Sequence, residues 1–253
     1  MILEASRKSP ALIIRAKLQL TSFDGEKSRE MTERTRGAYN QWAQTYDIDP
    51  NPQTTLELRP VLETLAARAG EKVLDAACGT GRYTAELHDQ GVDVIGLDFS
   101  LAMLAVAREQ IPGARFVEGD LNRPLPFEDA SFDAVLCGQA LKHLPDLYGP
   151  MREFSRVIRD GGRLIFSVTH PDMDWEGYEM RPYEGFVMRT EADIFHHRFF
   201  DYFDAAEKAG LAVKRVRQLT VSAEIRHFLT EESFAHVRGR PQVLVMELRK
   251  DGA

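Results

Sequence analysis

From Val73 onward, short apolar runs alternate with longer stretches in which apolar residues recur at helical spacing. The runs predict strands near 72–76, 92–97, 114–118, 133–138 and 162–168, and the stretches between them predict helices near 81–90, 100–110 and 148–158. Upstream, Tyr39, Trp42, Ala43 and Tyr46 share one helical face in a segment from about Ser28 to Tyr46, and a second helix is expected from about Thr54 to Ala69. Downstream, a helix over 201–209 leads through Gly210 into a strand near 212–220, and Gln242 to Arg249 reads as the last strand. Strands that alternate with helices imply an α/β fold with a parallel sheet covered on both faces, and right-handed crossovers leave few topologies.

The stretch Val73-Leu74-Asp75-Ala76-Ala77-Cys78-Gly79-Thr80-Gly81-Arg82 runs a predicted strand into an acid and then into a glycine turn that opens a helix. Glycine at 79 and 81 permits backbone conformations closed to other residues and lets a ligand approach the main chain, while the helix behind presents free N–H groups. A Gly-x-Gly by itself is often only a steric turn. The next strand, however, ends on Asp98, at the spacing where Rossmann-like units place an acid for ribose hydroxyls. Ligands of open α/β sheets bind outside the carboxyl ends of the strands, and Asp75, Asp98, Asp120 and Cys137 all fall at such ends. The plainer reading, that the three acids cap helices or close turns, accounts less well for four residues at matching strand ends.

These motifs resemble those of class I S-adenosylmethionine-dependent methyltransferases, of the broad family that modifies small molecules. The resemblance covers most of the chain. The family's first motif, an acid followed by Gly-x-Gly-x-Gly, aligns with Asp75-Ala76-Ala77-Cys78-Gly79-Thr80-Gly81, with Ala77 in place of the first glycine. Its second is carried by Asp98-Phe99-Ser100-Leu101-Ala102-Met103-Leu104 and its third by Gly119-Asp120-Leu121. Its fourth runs from Phe132 to Leu144, where many relatives have Leu-His-His-Leu and this chain has Leu141-Lys142-His143-Leu144. The resemblance implies a Rossmann-like, doubly wound, seven-stranded, mostly parallel sheet with an antiparallel last strand. It also implies S-adenosyl-L-methionine as cofactor. Asp98 would hold the ribose hydroxyls, Asp120 the adenine amino group and Leu121 the ring through its backbone. Met103 would lie against the adenine face or belong to the core. Tyr39, on a segment that closes over the cofactor in relatives, and Asp75, Ala77, Gly79, Gly81, Phe99, Ser100, Gly119 and Cys137 complete the expected cofactor set.

At 253 residues one domain with insertions is expected: an N-terminal extension over 1–30 and a methyltransferase domain over 31–253. The extension is apolar from Pro10 to Leu20, with Arg15 and Lys17 interspersed. An added strand, a helix packing on a partner subunit, as in a homodimer, and a tail are all compatible with it. Ala11-Leu12-Ile13-Ile14 is too short to span a bilayer, and no membrane association is expected. A formal charge of −7 gives no general attraction to nucleic acid, and Lys214-Arg215-Val216-Arg217 alternates as a solvated strand face would. With two cysteines and seven histidines the chain offers neither a disulfide framework nor a zinc cluster, so no metal is expected. Reduced thiols and the lack of a clear signal peptide point to the cytoplasm.

Methyl transfer from a sulfonium is an in-line displacement in which orientation can supply roughly 7–11 kcal/mol and a base a further factor of about 10²–10⁴. His143, just past the fourth strand, is the expected base, and His170 the second candidate for acid–base work. An insertion at about 170–198 follows the fifth strand. Its aromatic residues suit a lid that excludes water from a small-molecule acceptor, with Tyr46, Gln139, Trp175, Tyr178 and His197 as expected acceptor contacts. Covering a subunit interface is the alternative. No Asn/Asp-Pro-Pro-Tyr stretch ends the fourth strand and no Pro-Cys pair offers a nucleophile, so amino-directed and cytosine-C5 nucleic-acid methylation are disfavoured. O-methylation is slightly favoured among O-, N- and C-transfer. Two rivals stand beside this: a cofactor-binding protein of the same fold that transfers no methyl group, such as a cyclisation catalyst or regulator, and, against the acidic balance, a tRNA or protein methyltransferase.

Overall fold

A computed structural model of the chain describes residues 25–49, 51–173 and 192–252. In chain order its elements are α1 (Gly25–Trp42), α2 (Pro52–Leu65), β1 (Lys72–Ala76), α3 (Arg82–Asp89), β2 (Asp93–Asp98), α4 (Leu101–Gln110), β3 (Arg115–Glu118), β4 (Phe132–Gly138), α5 (Tyr148–Val157), β5 (Ile158–Thr169), α6 (Phe199–Lys208), β6 (Leu211–Thr220), α7 (Glu231–Val237) and β7 (Pro241–Lys250).

The strands form one seven-stranded sheet in the order β3-β2-β1-β4-β5-β7-β6. β1 pairs in parallel with β2 and β4, β2 with β3, and β4 with β5. β7 runs antiparallel to both of its neighbours. The strand order reverses between β1 and β4, which leaves a crevice beyond their carboxyl ends.

Alternation along each strand divides the core into two layers. Leu74, Val135 and Cys137 point to the side covered by α5 and α6, where Met151, Phe154, Tyr202 and Ala206 are buried. Val73, Ala134 and Leu136 point to the other side, against Val61 and Leu65 of α2 and Tyr83 and Leu87 of α3. Helix α2 starts from an Asn51 cap with Pro52 behind it and stops at Ala66, whose φ is +46°. The helix expected to reach Ala69 therefore ends at Leu65. The glycine turn at Gly161, φ +73°, lies within β5, between the pairings Phe132↔Ile158 and Ala134↔Arg163.

One part of the fold is unmarked in the hydrophobic pattern. Between β6 and β7 the chain forms a 3-10 helix, Ala223–Phe228, and then α7. Ile225, Leu229, Phe234 and Val237 make a small separate core with Val221 and Leu56 of α2. Among the described residues no helix is long and apolar enough to cross a membrane, and no group of His, Cys, Asp and Glu side chains is placed to hold a metal ion.

Candidate functional site

The loop after β1 takes three left-handed conformations in five residues: Ala77 at φ +63°, Gly79 at +56° and Gly81 at +90°. Outside glycine such a conformation costs about 1–2 kcal/mol, so Ala77 carries strain where the family pattern has glycine. Gly81 is held more tightly, because a Cβ there would come within 2.5 Å of Ile111 Cδ1. At Gly79 an added Cβ would meet nothing within 4 Å, since this stretch of backbone faces the crevice.

Asp98 closes the loop. Its Oδ2 accepts from Gly79 N and its Oδ1 from Ser100 N, both at 2.8 Å. Burial pushes its carboxyl up to about 6, against those backbone donors. Each oxygen keeps acceptor capacity, because an ionised carboxylate offers about four lone-pair sites. Along the crevice lie Phe99, directly after β2, Gly119, Asp120, Leu121 and Asn122, directly after β3, and Gly138, Gln139, Ala140, His143 and Leu144 from the end of β4 and the turn beyond it. Thr32, Thr35 and Tyr39 of α1, with Tyr46 after it, close the remaining side. The crevice has a cavity volume of about 80 Å³ and opens to solvent. Asp120 Oδ1 accepts from Asn122 N and Nδ2, leaving Oδ2 to face Arg36 and Arg123 at 3.9 Å.

Several of the expected cofactor residues stand behind this wall. Asp75 is fully buried, accepts from Thr84 Oγ1 at 2.7 Å and is pushed up to about 6 by burial. Ser100 caps α4 by accepting from Met103 N and donates to Asn40 of α1. Met103 and Cys137 are fully buried core residues, and burial raises the Cys137 thiol. The reason is alternation: at the tip of β4, Cys137 turns inward while Gly138 and Gln139 meet the crevice.

His143 lies in a 3-10 turn, Leu141–His143, directly after β4. Its Nδ1 faces the backbone oxygen of Asp193 at 2.7 Å, and its Nε2 faces the Tyr39 hydroxyl at 2.9 Å. A carbonyl can only accept, so Nδ1 carries the proton and Nε2 accepts from Tyr39. Burial, with Lys142 beside it, pulls the imidazole down to about 3. Tyr39 is raised well above its ordinary value by burial, and Tyr46 is pushed up to about 12 by the same cause.

His170 is buried at the β5–β7 junction, where it accepts from Asp172 N and packs near Phe199. Burial lowers its pKa. His197 donates through Nε2 to the Leu144 carbonyl at 2.8 Å, and burial lowers its pKa also. Neither lines the crevice. Trp175 and Tyr178 lie outside the described residues.

A polar chain that the sequence did not single out runs beneath Gln139. Glu57 of α2 is fully buried. It accepts from Arg82 Nη2 at 2.9 Å and from Gln139 Nε2 at 2.6 Å. Gln139 Oε1 in turn accepts from Lys142 Nζ at 3.1 Å. Gln139 sits at φ +57°, a conformation that costs energy and concentrates at functional sites. The one available signal was an acid between Leu56 and Leu58 on an otherwise apolar helix face.

A methyltransferase domain family matches residues 74–166, the segment that carries the glycine loop, Asp98, Gly119-Asp120-Leu121 and β4. The matched segment runs from β1 to Phe166 of β5 and so spans the first five strands. Around this segment, the chain is 42% identical over 134 residues to a demethylmenaquinone methyltransferase of Beutenbergia cavernae, covering 51% of this chain and 55% of that protein. It is 28% identical over 195 residues to the Bacillus cereus protein of the same name, covering 67% and 81%. The chain spans about half the length of the first of these relatives. An S-adenosylmethionine-dependent methyltransferase of Mesorhizobium loti superposes with a TM-score of 0.62 at 24% identity, over 75% of this chain and 96% of that one. The chain therefore shares its fold with that protein.

Proposed function

We propose that the crevice binds S-adenosyl-L-methionine and that the protein transfers its methyl group to a small-molecule acceptor. The observation that carries this reading is the convergence of open Gly79 backbone, the Asp98 carboxylate and Gly119-Asp120-Leu121 on one cavity at the strand-order reversal. These residues fit the cofactor. Asp98 would accept from the ribose hydroxyls, Asp120 Oδ2 from the adenine amino group, and Gly79 would leave space for the methionine end. When bound, S-adenosylmethionine supplies an activated methyl whose bond to sulfur breaks, the electron pair staying on sulfur, as the acceptor's own pair bonds the carbon.

The protein's part is to orient the two reactants and to receive a proton. Tyr39 and His143 both line the crevice, and their hydrogen bond defines a path: acceptor hydroxyl to Tyr39 Oη, and Tyr39 proton to His143 Nε2. A base held near 3 does not remove a proton from a resting alcohol. It suffices once the methyl bond is forming, because the acceptor oxygen then becomes strongly acidic. This order favours transfer to oxygen with late proton loss. The names of the relatives support an aromatic acceptor of quinol type, and the cavity's aromatic residues Tyr39, Tyr46 and Phe99 suit a planar molecule. The buried free thiols of Cys78 and Cys137 fit a reducing, cytoplasmic setting.

Calorimetric titration of wild type and Asp98→Ala with S-adenosylmethionine and its demethylated product tests the reading. Micromolar binding by the wild type, lost in the variant, is expected, together with release of the demethylated product in the presence of acceptor. A folded wild type that binds neither compound overturns it, and binding without methyl turnover on any acceptor would favour a cofactor-dependent catalyst of another reaction.

A further inference from the structure

Lys142 stands where the family pattern has the first histidine of Leu-His-His-Leu, and the proton path above gives it no part. Its ammonium donates to two neutral oxygens, Gln139 Oε1 at 3.1 Å and Thr169 Oγ1 at 3.4 Å. Among the described residues no carboxylate lies within ion-pair distance of it. The acid nearest in this network, Glu57, spends its oxygens on Arg82 and Gln139, so its charge reaches Lys142 through an amide. The titratable groups around the ammonium are thus Glu57 on α2, Arg82 on α3, bound to that acid, and the adjacent neutral His143. Burial draws the Lys142 pKa down to about 8, against the pull of Glu57.

Glu57 and Gln139 form a buried floor, whereas Lys142, Thr169 and Gln53 above it keep part of their surface accessible. Gln53 Nε2 also donates to Thr169 Oγ1, at 3.1 Å, which organises the rim. An ammonium has three donors, and two are engaged here. This cluster sits at the carboxyl ends of β4 and β5, next to the stretch of crevice wall formed by Gln139, Ala140 and His143.

A cation desolvated with no carboxylate in contact destabilises a fold, and the left-handed Gln139 that supports it adds strain. An unbranched apolar side chain would fill the same space without the cost of desolvating a charge. A ligand anion would supply the missing charge. We propose that Lys142, held by Gln139 and Thr169, is a specificity-determining subsite for an anionic oxygen of the acceptor, a carboxylate or phenolate borne beside the atom that receives the methyl group. This rests on the methyl-transfer reading of the crevice. Lys142 stays an ammonium throughout, and no bond to it forms or breaks. The acceptor sheds its acidic proton to solvent before it binds.

The test uses the protein saturated with S-adenosylhomocysteine and titrated with naphthoate and with its neutral isostere naphthamide. Wild type is expected to bind the anion about tenfold or more tightly than the amide, as a charge-assisted hydrogen bond requires. Lys142→Met brings the ratio to within about twofold, and Lys142→Arg keeps most of it. Thermal melts show that both variants are folded, with Lys142→Met at or above wild type. Equal affinities, no measurable naphthoate binding, or a preference that survives in Lys142→Met overturns the subsite. Binding of S-adenosylhomocysteine, measured first, separates the two readings: if the wild type does not take it up, both fall, and if it does while the naphthoate preference is absent, only the subsite falls.

Discussion

The Tyr39 hydroxyl and His143 Nε2 meet at 2.9 Å although 104 residues separate them in the chain. The contact joins α1, which closes one side of the crevice, to the turn after β4. Asp193 completes the link from a third segment: its backbone oxygen fixes the His143 tautomer, its carboxylate takes a two-pronged hydrogen bond from Arg34, and its N–H donates to Thr35. The wall over the cofactor cavity and the proposed base are thus held by one residue, and a shift of α1 would release both.

If Tyr39 and His143 act in series, His143→Ala lowers turnover about 10²–10⁴-fold and Tyr39→Phe lowers it comparably. The double variant is then no worse than the worse single one, because residues that act as a unit are not additive. Initial rates of S-adenosylhomocysteine release measure this. Additive losses would place the two residues on separate tasks.

His143 is held at about 3, so it remains neutral through the working range. The rate profile between about pH 5 and 8 is expected to carry no limb from this residue. A limb near 6.5 that vanishes in His143→Gln would show that the imidazole titrates freely.

Asp98, held near 6 by burial before ligand arrives, must be ionised to accept from two ribose hydroxyls. Affinity for S-adenosylhomocysteine is therefore expected to be level above that value and to weaken by about tenfold per pH unit below it. Asp98→Asn should bind weakly at every pH. Calorimetry across pH 5–8 decides it, and a wild-type affinity independent of pH speaks against Asp98 as the ribose ligand.

Lys142 predicts a stability signature. Its pKa falls from 10.5 in the unfolded chain to about 8 in the fold, so below pH 8 the charge is present in both states and the folded state carries the full penalty. As pH rises from 8 to 10.5 the unfolded chain alone retains the proton, and the penalty fades. Lys142→Met should melt above wild type at pH 7, with a gap that narrows toward pH 10.5. A constant gap would mean that the lysine is not desolvated.

Ala66 ends α2 at φ +46° and donates its N–H to Leu62 O. Glycine adopts this conformation freely but adds freedom to the unfolded chain. Ala66→Gly is expected to stabilise by about 0.5–1 kcal/mol, the left-handed penalty less the added freedom of the unfolded chain, read from the midpoint of urea unfolding. An unchanged or lower midpoint would show that the cap is not strained.

The order of strands and helices was legible because it is written locally. Continuous apolar runs such as Val73 to Ala76 mark strands buried on both faces, and Asp-plus-glycine punctuation marks where they end. The seven-stranded sheet with its reversed last strand followed from the motif resemblance, and the pairings of β7 agree with it. The small core of Ile225, Leu229, Phe234 and Val237 was not legible, since its short helices lack a sustained period and find their partner, Leu56, far back in the chain.

What the sequence determined, then, is what neighbours in the chain can decide: the order of the strands and the longer helices, the glycine turn through Gly79 and Gly81, and the acid that ends β2. The tertiary structure alone decided which side chains share a wall. It turned Asp75, Met103 and Cys137 away from the crevice, and it aimed His143 at Tyr39. It also laid a buried line from Glu57 through Gln139 to Lys142. The physical reason is that a strand sends successive side chains to opposite faces, so the partner of any residue at a strand tip comes from another segment, which only the packed sheet brings near.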